Sequence, residues 1–510
     1  MLNYWWVTRP KRKLNSVPEV LSTFAELSLN QQWEGQRTSH LSLEEALESA
    51  GLKRQGERRD QGGGGARTYK AWLVSLGLIF TQESSKQIKL TLAGEAIMNG
   101  DSPVDILKSQ VLKYQFPSSF SVGRNIDVAP RFKIHPFVFL LKLLMDGRIG
   151  YLTTDEMANI VIVEAENETN KCYEHVVNRL IAYRNYGHQV LEADFSEKYG
   201  VKEGSTNLKD VANTMMNWLD YTQLTYREDG KMYVVQEHQD EVRTIVEHSL
   251  PFIDRPQNHE YFQRKYGIDP KHNKDTRNLT NTKTITSKML AEQQIMKAYI
   301  ALSLARPITA VDTYVVDSIA SSTGLKEPLI IEILQKKYPR GSIGAFMTKY
   351  YEMAFKGRDE ATEFEKATVE LFRDVFKFKT THVGPIGLTP DVLLESEEAG
   401  FVGIIDNKAY SKYSISNDHH NRMVHNYIEG LGNYYRGANQ LAFFSYIAGG
   451  FGTNINSQVK NITDVTGVNG SCINVHNMIE LVKRMEKRNY SHDDLRKIFS
   501  TNRQILLSDL

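Results

Sequence analysis

Apolar positions in the first 290 residues recur at helical spacing in short blocks, and two sets of blocks run into alternating apolar and polar residues around a turn. Residues 43–51 form an amphipathic stretch, 67–76 predict a second helix, and 78–80 with 88–90 predict two strands flanking a polar turn. The same order returns further on, as 154–161, a helix around 175–183, a helix at 208–219 and a hairpin at 225–235 that turns at Asp229-Gly230. Asp-Gly between alternating apolar residues is a strong hairpin signal, because a type I′ turn needs positive φ at both central positions. Helix, helix, hairpin is the order of a winged helix. Such a unit either presents one helix to a DNA groove or serves only as a protein scaffold.

Between 267 and 288 the chain turns Asn-, Thr- and Lys-rich with few apolar residues, which predicts a linker. Residues 289–338 then read as wholly helical, with Leu290, Ile295, Ala298, Tyr299 and Leu302 on one face and a Thr323-Gly324 stop before a further helix. Beyond about residue 345 the pattern changes to helix (361–376), strands (391–394 and 402–409), helix (421–435), strand (441–447) and helix (475–485), the mixed order of an α/β domain around one sheet. The expected division is a region at 1–285 made of two winged-helix units, about 1–135 and 136–266, followed by the polar linker; a helical connector at 286–344; and an α/β domain at 345–510. The glycine run 62–65 reads as a mobile loop.

Composition narrows the function classes. Of 510 residues 41% are hydrophobic and 24% charged, an ordinary globular balance. Sixty-two Lys and Arg against 61 Asp and Glu leave a net charge of +1, so binding to an anionic polymer must come from local clusters. Cys172 and Cys472 are the two cysteines, too few for a disulfide framework or a cysteine zinc site, and a reducing cytoplasm is the expected compartment. The opening residues place basic side chains after a very short apolar stretch, the reverse of a secretory signal. The longest apolar run, 137–145, is interrupted by Lys142 and falls far short of the ~20 residues that cross a bilayer, so no membrane role is expected. His419, His420 and His425 lack the spacing of a zinc site, and Trp5 and Trp6 read as packing anchors.

The sharpest chemical signal is Thr389-Pro390-Asp391, followed fifteen residues after the aspartate by Asp406-Asn407-Lys408. Strand alternation puts Val402, Ile404, Asp406, Lys408 and Tyr410 on one face. A hairpin across 395–400 would bring Asp391 to the same spot. Two carboxylates beside a lysine make a hard-oxygen site suited to Mg²⁺ and to phosphodiester hydrolysis. Burying an Asp and a Lys on an apolar strand without partners would be expensive, which favours a site over a chance surface pair. Glu365, with Glu370 near it, lies on the preceding helix, as a carboxylate that orients a water or as an exposed helical glutamate.

These residues resemble a family. Val402-Gly-Ile-Ile-Asp-Asn-Lys-Ala-Tyr-Ser411 with Thr389-Pro-Asp391 ahead of it is similar to the cleavage domain of FokI-type type IIS restriction endonucleases, a branch of the PD-(D/E)xK nucleases. His382-Val-Gly384, Phe443-Phe-Ser445, Gly449-Gly-Phe-Gly452, Ile462-Thr463, Asn469-Gly470 and Asp494-Leu-Arg-Lys-Ile-Phe499 extend the likeness over most of 345–502. It implies metal binding by Asp391 and Asp406, catalysis by Lys408, and a helical glutamate at Glu365. Trp5-Trp-Val7, Leu90-Thr-Leu-Ala-Gly94, Tyr114-Gln-Phe-Pro-Ser118 and His135-Pro-Phe-Val-Phe-Leu-Leu141 resemble the recognition region of AlwI-like type IIS and nicking endonucleases. The implied partners are double-stranded DNA, a transient homodimer through the nuclease domain, and a cognate DNA methyltransferase. Asp418 and Arg422 stand at i, i+4 where such domains use an acid and an arginine to dimerise.

Residues 51–70 hold six basic and two acidic side chains around the glycine run. Arg58, Arg59, Arg67 and Lys70 are the expected DNA contacts, against the alternative of a solvated basic loop; Arg124, Arg131 and Lys133 form a second patch. The function expected is Mg²⁺-dependent cleavage of duplex DNA at a fixed distance outside a short asymmetric site. The alternatives are a strand-specific nicking enzyme with the same active site and a DNA-binding protein without catalysis.

Overall fold

In a computed structural model of the chain, the structure describes residues 2–53, 63–99, 101–122, 128–199, 207–279, 287–339, 341–384, 387–485 and 487–510. The chain divides into two compact units, one of Met1–Ala301 with Val311–Pro339, the other of Leu302–Ala310 with Arg340–Leu510.

The first unit is rich in helices. Val17–Ser28, Arg37–Ser49 and Gly64–Ser75 precede an antiparallel hairpin, Ile79–Thr81 with Ile88–Leu90, in which Ile79 faces Leu90. The second block holds Thr154–Glu156, a wider π turn at Met157–Val161, and helices Asn170–Tyr186 and Asn207–Tyr221. Its hairpin pairs Thr225–Glu228 with Lys231–Val234 and turns at Asp229 (φ 49°) and Gly230 (φ 73°), as the Asp-Gly pair requires. A short strand, Leu152–Thr153, adds to that hairpin and ends in a capping box, where Thr153 and Glu156 satisfy each other's backbone N–H.

Three expectations need correction here. Gly64 and Gly65 are not loop but the start of the Gly64–Ser75 helix, and Gly62 lies outside the described residues. A Cβ on Gly65 would sit 2.3 Å from Glu44 Oε1, which accepts the backbone N–H of Ala66, so the glycine serves a close helix approach. The stretch at 289–338 has one more break than expected, giving three helices, Ser287–Ala305, Thr313–Thr323 and Glu327–Lys337, the last two parted at the expected Thr323-Gly324 stop. Pro307 stops the first, Asp312 caps the second by accepting from Val315, and Gly324 (φ 70°) ends it. Leu290, expected on the apolar face, is exposed, whereas Ile295 and Tyr299 are buried. The apolar run at 137–145 is the buried helix Pro136–Met145, and no described helix is long and apolar enough to cross a membrane.

The second unit is a mixed α/β layer structure. Helices α1 (Gly344–Met353) and α2 (Ala361–Asp374) lead into strands β1 (Lys379–His382), β2 (Val392–Ser396) and β3 (Phe401–Lys408), an antiparallel meander. Strands β4 (Gln440–Ala448), β5 (Asn469–Asn474) and β6 (Arg503–Gln504) add in parallel beside β3, and the sheet order is β6-β5-β4-β3-β2-β1. Helices α3 (Ile455–Thr466), α4 (Val475–Met485) and α5 (His492–Phe499) complete the unit. Each face of the sheet buries its own core, one around Phe364, Leu371, Ile405 and Ile447, the other around Val402, Ile404, Tyr446 and Val459. That two-sided burial explains why β3 reads as a near-continuous apolar run. The single helix expected at 421–435 is instead a short helix, Asn417–Asn421, a π segment at Arg422–Ile428 and a tight turn at Leu431–Asn433, broken by Gly430 and Gly432.

Candidate active site

Strand β3 buries Val402 and Ile404 on one face and Ile405 on the other, so Asp406 and Lys408 continue the Val402 face. Val392 pairs with Ile405 across β2 and β3, which sets Asp391 opposite Asp406 at the next rung. The backbone N–H of Asp391 donates to Ile405 O (3.1 Å), and Asn407 N–H donates to Asp391 Oδ2 (2.5 Å). The Lys408 ammonium donates to Asp406 Oδ2 at 2.6 Å. The structure thus brings Asp391, Asp406 and Lys408 together.

The electrostatics are unbalanced. Asp406 is 3% exposed and its Oδ1 is buried with no hydrogen-bond partner among the described residues. Asp391 keeps one edge at the surface, yet the packing around it, then the charge of Asp406, pushes its carboxyl well above the usual range. Burial alone would lower the Lys408 ammonium, but Asp406, Asp391 and Glu365 outweigh it and hold it above its ordinary value. One lysine therefore faces three acids. Tyr446 pairs with Asp406 across β3 and β4, and burial, reinforced by the Asp406 charge, raises the hydroxyls of Tyr446, Tyr413 and Tyr427.

Glu365, on α2, reaches the same cluster. A Cβ placed on Gly384 would lie 3.2 Å from Glu365 Oε2 and 3.4 Å from Asp391 Oδ1, so the glycine packs close against both carboxylates. His382 on β1 meets Glu365 Oε2 through Nε2 at 2.9 Å. Glu370 instead pairs with Arg373 on the surface of the helix. The contact of His382 with Glu365 and the tyrosine wall were not readable from spacing, because both join elements far apart in sequence.

Among the described residues no group of three or more His, Cys, Asp or Glu side chains is arranged to hold a metal. The two aspartates offer oxygen donors only, a set that fits Mg²⁺, which keeps several waters in its shell. The buried, unpartnered Oδ1 of Asp406 fits the same reading.

The expected DNA contacts divide. Arg58, Arg59 and Arg124 lie outside the described residues. Arg67 is exposed on the Gly64–Ser75 helix. Lys70 is drawn inward, over the Trp33 ring at 5.9 Å and within 3.4 Å of Thr81 Oγ1, and burial lowers its pKa. Arg131 donates to Asn3, Val163 and Glu166, and the Lys133 ammonium sits over the Phe252 ring. Asp418 and Arg422 form an exposed ion pair at 2.9 Å. Trp5 is buried and donates to Ala165 O, and His419 meets the Tyr413 hydroxyl through Nδ1.

Comparison with solved structures found restriction endonuclease FokI, 13% identical over 99% of this chain and 100% of that one, TM-score 0.29. FokI bound to DNA is 13% identical over 99% of both chains, TM-score 0.28. The BpuJ1 endonuclease binding domain in complex with modified DNA is 12% identical over 52% of this chain and 95% of that one, TM-score 0.32. No match was found among curated proteins. The FokI cleavage domain family matches residues 324–506, and the AlwI restriction endonuclease family matches residues 74–337. With more than half of its length in that second match, the chain belongs to the AlwI restriction endonuclease family, as a type IIS enzyme with a FokI-type cleavage domain.

Proposed function

We propose that this protein binds a short asymmetric site in duplex DNA and hydrolyses phosphodiester bonds at a fixed distance outside it. The observation that carries the reading is the meeting of Asp391, Asp406 and Lys408 on one face of the sheet, with Asp406 Oδ1 left unpartnered. Asp391 and Asp406 would hold Mg²⁺, which when bound supplies positive charge for the reacting phosphate and acidifies a water. Lys408 balances negative charge that builds on the phosphate, and Glu365, at the Asp391 end, orients the attacking water.

Residues 1–285 act as the recognition region in this reading, as two winged-helix units with a polar linker, and 286–344 as a connector to the nuclease domain at 345–510. Arg58, Arg59, Arg67 and Lys70 supply phosphate and base contacts, Lys70 after moving off Trp33. Tethering fixes the offset, since the nuclease reads no bases of its own. The nuclease domains of two copies pair transiently on DNA near Asp418 and Arg422, and a cognate methyltransferase protects the host's sites.

Run-off sequencing of plasmid incubated with the protein and Mg²⁺ tests this. Breaks at a constant offset from one motif are expected, with none in EDTA. Breaks in one strand only would establish a nicking enzyme, and no cleavage with any divalent metal would overturn the reading.

A further inference from the structure

We propose that His382 is a positioning residue for Glu365, holding that carboxylate beside Asp391; the inference deepens the nuclease reading above and rests on it. The contact is built from both sides. His382 ends the edge strand β1, opposite Val392, and its Nε2 lies 2.9 Å from Glu365 Oε2. An ionised carboxylate only accepts, so the imidazole carries its proton on Nε2 and donates. Two residues on, Gly384 packs close against Glu365 Oε2 and Asp391 Oδ1, and the backbone N–H groups of Val383 and Gly384 donate to Asp391 O at 3.0 and 3.3 Å. One segment, 382–384, therefore fixes the backbone of one acid and the side chain of the other.

The histidine is not needed to dock the helix. Phe364, Leu371 and Phe372 of α2 are already fully buried in the core, and Thr380 of β1 bonds Val369 O. What the imidazole restrains is a glutamate that would otherwise sample several rotamers at the rim of the site. Side chains that orient an active-site ligand in this way commonly matter by about 10- to 100-fold.

The test uses the full chain. At saturating plasmid and Mg²⁺, His382→Ala should lower single-turnover cleavage by about 10- to 100-fold. DNA affinity measured without metal, and the melting temperature, should stay at the wild-type values. His382→Gln, whose amide N–H reaches the position of Nε2–H, should recover most of the rate. In metal-free protein the ¹⁵N signal of His382 Nε2–H should move in Glu365→Gln. Wild-type cleavage by His382→Ala overturns the inference, as does a loss matched by weaker DNA binding or lower melting temperature, or a His382→Gln no faster than Ala. Absence of cleavage by the wild type overturns the nuclease reading and this inference together, whereas cleavage by wild type and by His382→Ala alike overturns this inference alone.

Discussion

Three acids of the first unit are balanced by arginine in a way that the Asp391–Asp406 cluster of the second is not. In the first unit, Glu156 receives Arg184 at 2.5 Å, Glu164 receives Arg179 at 2.9 Å, and Asp275 lies between Arg264 and Arg277 at 3.0 and 2.8 Å. Burial would raise the Asp275 carboxyl, but the hydrogen bonds from Arg277 and Arg264 outweigh it and hold it below the usual range. Away from the Asp391–Asp406 cluster the second unit does the same, with Asp374 paired to Arg306. At that cluster, however, Asp391 and Asp406 share one lysine, and Asp391 is pushed up rather than down. The three acids of the first unit each meet an arginine, whereas the acids at Asp391 and Asp406 are left unmatched at a cost in stability, as at a functional site.

The largest effect should come from removing one of the unmatched acids. Asp391→Asn should reduce Mg²⁺-dependent plasmid cleavage about 10³-fold. Its melting temperature should hold or rise, because a repulsion is relieved; a clear fall would break the comparison. Removing an arginine from a matched pair should do the reverse. Arg184→Ala strands the buried Glu156 and should cost about 3 kcal/mol in urea unfolding of the first unit, with cleavage per folded molecule unchanged. Lys408→Met should slow cleavage about 100-fold at unchanged DNA affinity, which separates its role from that of a recognition lysine. The smallest effect is one of pH. Because Asp275 is held below its unfolded value, its contribution is present above that value, about 4, and is lost as pH falls below it. The melting-temperature gap between wild type and Asp275→Asn should therefore close with acidification, and a constant gap would show that its arginines do not act through charge.

Legibility followed the range of the interactions. Asp406 and Lys408 were readable because a strand has period two, and Asp391 because a short turn makes register almost unavoidable. The Asp229-Gly230 hairpin was readable from turn chemistry alone. Gly64 and Gly65 were misread as loop because their use lies in the approach of another helix, to Glu44. Lys70 and Arg131 looked alike as basic residues, yet one rests over Trp33 and the other is bound to Asn3, Val163 and Glu166.

By itself the sequence determined the α/β order of the second unit, the strand that carries Asp406 and Lys408, and the motifs that mark its family, since each is set by neighbours a few residues apart. Only the tertiary structure decided that Glu365 meets His382, that Gly384 packs against both Glu365 and Asp391, and that Tyr446 stands across from Asp406. Those contacts join α2, β1 and β4 to the hairpin, and packing of distant elements against a shared sheet leaves no periodic trace along the chain.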